Sequence, residues 1–194
     1  DDGVSAIVTF VATLAFAPNI QNGIIAGIIL SLALLLYRMM QPRVAGLGVH
    51  SDGTLRDAHR HNLSPLHPQL AAIRFDGALR FVNVSSFEDA LLALERKNPL
   101  VRYILVKCNG INYLDASGVE MLSSLVSRFK SNGITLGFSG LKKQVQDVMD
   151  RTNLSQSIGL DNIFDTDQDA FDKLHTRGVI DTRIGPIPEQ QFTQ

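Results

Sequence analysis

The 194 residues carry 18 basic and 19 acidic side chains, a formal net charge of −1 with the five histidines neutral. That balance leaves no basic stripe of the kind nucleic-acid binding relies on, so nucleic acid is excluded as a partner. The single cysteine, Cys108, cannot make an internal disulfide or a cysteine metal centre, and its strand-like setting "VRYILVKCNG" reads as a buried, inert thiol.

Charge is unevenly placed along the chain. Between Asp2 and Arg38 there is no Asp, Glu, Lys, Arg or His. Two apolar runs, Val4–Ala17 and Gly23–Tyr37, contain 14 and 15 residues and flank the polar break "PNIQN". Each falls short of the roughly 20 residues a perpendicular helix needs to cross the hydrocarbon core. A secretory signal peptide fits poorly, because the chain opens on Asp1–Asp2 and no small-residue cleavage site follows. A buried hairpin in a soluble core also fits poorly, because both helices are apolar all round. Residues 1–40 therefore read as a transmembrane hairpin of two short helices. Gly23 and Gly27 form a G-x-x-x-G, and Ala26, Ser31 and Ala33 keep the second helix slim for packing in lipid. Tyr37, Arg38 and Arg43 supply an aromatic and basic flank that places this end on the cytoplasmic side. The uncharged start suggests the tail end of a larger membrane protein.

Residues 41–69 mix Pro, Gly, Ser and four of the five histidines. They read as a juxtamembrane linker with one short strand at Ala45–Val49. His59, His61 and His67 with Asp57 have the residue types of a metal site but only loose spacing, so no metal is expected.

From Leu70 strands alternate with helices. "LAAIRFDGALRFVNV" reads as a hairpin turning at Asp76–Gly77. "SSFEDALLALERKN" reads as a helix in which Ser85 and Glu88 have capping-box spacing and Phe87, Ala90, Leu91 and Leu94 form the apolar face. "VRYILVKC" is a mostly apolar strand suited to the middle of a covered sheet. "SGVEMLSSLVSRFKSNG" is a second helix with Val119, Leu122, Val126 and Phe129 on one stripe and Gly133 after its end. "ITLGFSG" is a further strand, "LKKQVQDVMDRTNL" a third helix with Val145, Val148 and Met149 inward, and "DQDAFDKLH" a short closing helix. The pattern predicts an α/β fold, a mixed sheet whose later strands are parallel and joined by right-handed crossovers. Residues 177–194 read as a disordered tail.

These residues together resemble a STAS domain, the fold of bacterial anti-sigma factor antagonists and of the cytoplasmic tails of SulP-type anion transporters. "FDGALRFVNV" is similar to the transporter signature, with Phe81 and Asn83 at its marked positions. "ILVKCNGINYLDASGVEML" resembles the strand, loop and hydroxyl-rich corner of the family, and "GITLGFSGLKKQVQDVMDRTNL" its next strand and helix. The apolar hairpin followed by "LYRMMQPRVAGLG" resembles the last two membrane helices of SulP transporters and their exit into STAS. The resemblance implies a STAS domain at 70–176 in the C-terminal part of a homodimeric, multi-pass transporter of the inner or plasma membrane. It also implies that the substrate, an inorganic or small organic anion, binds in helices upstream of this chain. A membrane-tethered STAS partner-switch protein is the alternative reading.

Within the corner, Asp115, Ser117, Gly118 and Glu120 are the candidate site residues. Ser117 and Glu120 have S-x-x-E spacing and read as a helix cap. The resemblance also puts Ser117 at a phosphoacceptor-like position, although Ala116 replaces a hydroxyl residue before it. A nucleophile elbow is excluded, because the residue two before Ser117 is Asp115 and His175 is the one histidine of the 70–176 domain. "CNGINYLDASG" lacks the Gly-Lys-Ser/Thr ending of a phosphate loop, so no nucleotide or other cofactor is expected. The corner and the helix after it are expected to dock a cytoplasmic protein or the membrane part of the same dimer, without catalysis.

Overall fold

The computed structural model describes residues 20–50, 54–64 and 66–181, with isolated positions 3, 6, 7, 10 and 11 near the start. The chain divides into two compact units, Asp1–Gln41 and Pro42–Gln194.

In the first unit, helix α1 spans Ile20–Met40, 21 residues. At 1.5 Å per residue that is about 30 Å, the thickness of a bilayer core. The expected second helix, Gly23–Tyr37, is thus too short a reading. The helix takes in the polar residues before it and Arg38 to Met40 after it, because backbone hydrogen bonding continues past the apolar stretch. Ile24, Ile28, Ile29, Leu32 and Leu35 each expose more than half of their surface, whereas Gly23 and Gly27 are buried. Most of the expected first helix, Val4–Ala17, and the turn after it lie outside the described residues, so the two-helix hairpin remains an expectation.

The second unit is built on a six-stranded sheet of order β2-β1-β3-β4-β5-β6. The strands are β1 Arg43–Val49, β2 Leu55–Asp57, β3 Leu70–Asp76, β4 Tyr103–Lys107, β5 Thr135–Ser139 and β6 Ile163–Phe164. β1 runs antiparallel to β2 and β3, while β3, β4, β5 and β6 are mutually parallel. The helices are α2 Ala58–His61, α3 Val84–Lys97, α4 Ala116–Ser131, α5 Lys143–Arg151, α6 Leu154–Ile158 and α7 Asp167–Thr176. A 3-10 turn at Leu160–Asn162 precedes β6.

Alternation along the strands divides the core, since neighbouring side chains point to opposite faces. Ile73, Phe75, Ile104, Val106, Leu136 and Phe138 meet α3 to α6 through Phe87, Leu91, Leu122, Leu125, Phe129, Val145, Met149, Leu154 and Ile158. Leu70, Ala72, Tyr103 and Leu105 meet α7 through Ala170, Phe171 and Leu174 on the other face. The helical spacing of these residues placed α4, α5 and α7 where the sequence suggested. Gly133, at φ +73°, follows the C-terminus of α4, a left-handed position where glycine carries no Cβ penalty.

Four local readings change. The hairpin Leu70–Val84 does not form: β3 ends at Asp76, and β1 and β4 already occupy both of its edges. Residues 78–83 are instead a loop in which Leu79 bridges to Leu114. Helix α3 begins at Val84 after Asn83, so Ser85 lies inside the first turn and is not its cap. The segment 41–69, read as a connector, contributes β1, β2 and α2 to the sheet unit, and its short strand is longer than Ala45–Val49. At the other end Ile180 is buried against α7, so ordered packing extends past 177, and residues 182–194 lie outside the described residues.

Candidate functional site

Two loops at the C-terminal ends of parallel strands meet at the start of α4. The β4–α4 loop, residues 108–115, ends at Asp115, whose extended backbone caps the helix. One carboxylate oxygen accepts the Gly118 N–H at 2.9 Å, and the other accepts the Phe81 N–H at 3.0 Å. The Asp115 N–H donates to the Leu79 carbonyl at 3.2 Å, and the Leu79 N–H donates to the Tyr113 carbonyl at 2.8 Å. A single carboxylate therefore caps α4 and fixes a loop 34 residues away in sequence.

The cap reading of Ser117 is corrected by these bonds. Asp115 supplies the capping oxygen, and Ser117 is the second residue of the helix, half-buried. Both D-x-x-G and S-x-x-E spacings fit the stretch. Asp115 prevails because its second oxygen also satisfies the Phe81 N–H, a partner outside the helix. Glu120 is exposed on α4. Gly118 is buried where a Cβ would lie 2.6 Å from Leu114 Cδ1 and 3.0 Å from the Leu79 carbonyl, so the helix start sits close against both loops.

The signature residues Asn83 and Phe81 divide in role. Asn83 is 6% exposed, its amide oxygen accepting the Arg80 N–H and its amide nitrogen donating to the Ala78 carbonyl, both at 2.9 Å. It folds the 78–83 loop from within. Phe81 is 74% exposed on the outside of that loop. The Arg80 guanidinium lies 5.0 Å from the centre of the Tyr113 ring, and Tyr113 is half exposed. Neither Arg80 nor Tyr113 stood out in the sequence, because no local spacing signals a contact between two separate loops.

A second polar group sits under the sheet's C-terminal end. Asp167 at the start of α7 accepts the Ser139 hydroxyl at 2.6 Å and pairs with Lys107. Each of its members is satisfied by the others, and the group ties α7 to β4 and β5. Nearby, the Cys108 thiol is fully buried and donates to the Val106 carbonyl at 3.3 Å. Burial first, and the Asp167 charge second, push its pKa far above the ordinary thiol value, so it stays protonated. Burial likewise raises the Tyr103 phenol, which donates to Asn162 at 3.1 Å.

The possible metal ligands of 41–69 do not converge. Asp57 caps α2 through the Arg60 N–H at 3.0 Å and pairs with Arg43 at 3.3 Å, while His67 pairs with Asp181 at 2.8 Å. Among the described residues no three His, Cys, Asp or Glu side chains gather in a metal-binding group.

The STAS domain family matches residues 64–170, which contain the corner and most of the sheet. The chain belongs to the STAS domain family. Its relatives are SulP/SLC26 sulfate transporter homologues. It is 26% identical over 168 residues to "Probable sulfate transporter 4.2" of Arabidopsis thaliana, covering 81% of this chain and 24% of that protein. It is 26% identical to "Putative sulfate transporter YvdB" of Bacillus subtilis, covering 81% and 27%, respectively. The STAS chain thus spans about a quarter of the length of the curated relatives it matches. In fold it superposes on murine Slc26a9, an anion transporter in the inward-facing state, with a TM-score of 0.73 at 15% identity. That superposition covers 86% of this chain and 27% of the transporter.

Proposed function

We propose that this chain is the C-terminal part of a SulP-type secondary anion transporter. Its STAS domain serves regulation, assembly and partner docking through the corner formed by Asp115, Ser117, Gly118 and Glu120, and performs no catalysis. The whole protein is a homodimeric, multi-pass membrane protein with the STAS domain on the cytoplasmic side, and its substrate is an inorganic or small organic anion. The domain boundaries that go with this reading are a membrane hairpin at 1–40 and the STAS domain at 70–176, to whose sheet the segment 41–69 adds β1, β2 and α2, followed by a tail at 177–194 whose first residues pack on α7.

One observation carries the reading. Helix α1 has a span of 20 residues with mean hydropathy 2.1, of which 11% is buried, and it precedes the STAS strand β1 by only two residues. A helix that displays Ile and Leu around most of its surface is stable in lipid and costly in water. Similarity to proteins named as sulfate transporters supports it, because it extends over more of the chain than the STAS match does.

Uptake of labelled sulfate, bicarbonate, chloride and dicarboxylates by cells expressing the whole protein tests the proposal. Saturable uptake of one of them is expected, with Ser117→Ala and Ser117→Glu in the same protein altering transport, assembly or partner capture. Absence of uptake, together with kinase-dependent phosphate on Ser117, would replace it with a tethered partner switch. If neither substitution changes transport, assembly or capture, the docking role of the corner fails.

A further inference from the structure

Strand direction places the loops of the corner at a defined end of the sheet. β1 enters at Arg43, opposite Asp76 at the end of β3, and β4 and β5 run parallel to β3. The end of the sheet at which the chain arrives from α1 is therefore the end from which the β3–α3, β4–α4 and β5–α5 loops emerge. Two residues, Gln41 and Pro42, separate Met40 from Arg43 in the chain. Pro42 itself packs at the root of the first loop, its Cβ 3.5 Å from the place of a Cβ on Gly77.

Those three loops carry aromatic and basic side chains outward. Phe81 is 74% and Tyr113 50% exposed, Arg80 lies against Tyr113, and Lys142 and Lys143 are exposed at the start of α5. Gln144 donates to the Asn112 carbonyl, which brings the two lysines beside the Tyr113 loop. Among the described residues no ion pair engages Arg80, Lys142 or Lys143. Of the acids at this end, Asp115 accepts two backbone N–H groups, Asp76 pairs with Arg74 and Asp167 with Lys107, while Glu120 on α4 and Asp165 after β6 are exposed. Asn83 and Asp115 hold Phe81 on a hydrogen-bonded loop, so the ring is presented without an ordering cost on contact.

We propose that this end of the STAS domain is a lipid-surface contact, in which Phe81 and Tyr113 enter the interface of an anionic leaflet and Arg80, Lys142 and Lys143 meet its phosphates. A tyrosine ring belongs at the headgroup level, a phenylalanine ring buries at the boundary of headgroups and acyl chains, and basic side chains gain from the negative surface potential there. The proposal rests on the reading that α1 lies in a membrane.

The chain contains no tryptophan, so a single introduced one reports its own surroundings. Phe81→Trp and, at the opposite end of the sheet, Leu160→Trp, which replaces a side chain 67% exposed, are made in the full chain. Each is reconstituted into phosphatidylcholine–phosphatidylserine vesicles with and without brominated acyl chains. Phe81→Trp is expected to shift to the blue and lose fluorescence to the brominated lipid, while Leu160→Trp keeps its emission. Adding Arg80→Glu, Lys142→Glu and Lys143→Glu, or removing phosphatidylserine, should abolish the difference between the two positions. A chain that does not float with the vesicles overturns the membrane reading itself. A chain that floats with both tryptophans equally unquenched overturns the lipid contact alone. A blue shift without quenching assigns the surface to a protein instead, and quenching insensitive to charge reversal removes the role of the basic residues.

Discussion

Helices α1 and α4 are both rich in aliphatic side chains, yet they resolve the same hydrophobic demand in opposite ways. α4 lines Met121, Leu122, Leu125, Val126 and Phe129 against the sheet and turns Glu120, Arg128 and Lys130 outward. α1 shows Ile24, Ile28, Ile29, Leu32 and Leu35 on its outside and buries its glycines. The difference is one of solvent. A helix packed on a sheet needs one apolar stripe, whereas a helix in lipid needs apolar cover on every face except the one that meets another helix.

The sharpest way to break this contrast is to truncate one side chain in the domain helix. Phe129 is fully buried, and Phe129→Ala should cost about 3–5 kcal/mol of domain stability, read as a lower midpoint of denaturant unfolding of the detergent-solubilised chain. Leu32→Ala in α1 should leave that midpoint unchanged; an equal loss would mean that Leu32 is packed like a core residue. Next in size, Leu32→Asp should cost about 2.5–3.5 kcal/mol of membrane insertion, read as a lower fraction of glycosylation-mapped inserted helix. Unchanged insertion would count against α1 as a span.

Smaller effects separate the residues of the corner. Asp115→Ala removes the cap of α4 and the partner of the Phe81 N–H, and should cost about 1–2 kcal/mol with faster amide exchange at Phe81 and Gly118. Ser117→Ala should stay within about 0.5 kcal/mol of the wild type. The reverse ranking would restore Ser117 as the cap. The smallest effect is acidic. The Arg60 N–H holds the Asp57 carboxyl below its ordinary range; desolvation opposes it, and the Arg43 hydrogen bond and charge add to the lowering. Since the folded state lowers this pKa, its stabilisation is complete above the unfolded value near about 4 and is lost as pH falls through the folded value. The Arg60 amide resonance should therefore titrate below about pH 4, and Asp57→Asn should remove that titration.

Several elements were legible because their cause is local. The spacing of Leu122, Val126 and Phe129 dictated the buried stripe of α4, and the apolar run Tyr103–Val106 dictated a strand covered on both faces. The corner was legible as a place, with Asp115, Gly118 and Asn83 all built into it, but their tasks were not. Its cap could not be assigned from spacing, because Asp115 and Ser117 each offer an oxygen at a plausible distance along the chain. The Asp-Gly at 76–77 similarly favoured a hairpin on local grounds.

By itself the sequence determined which stretches are apolar on one face, on two faces or all round, and so separated a membrane-type helix from an α/β domain. Periodicity is a property of neighbours in the chain, and burial follows from it. Tertiary structure alone decided pairings between distant stretches. β1 took the edge of β3 that a hairpin strand would have needed, and the Asp115 carboxylate reached Phe81 across 34 residues. Such choices depend on which partner arrives at a shared hydrogen-bonding edge, and no window of local sequence contains that competition.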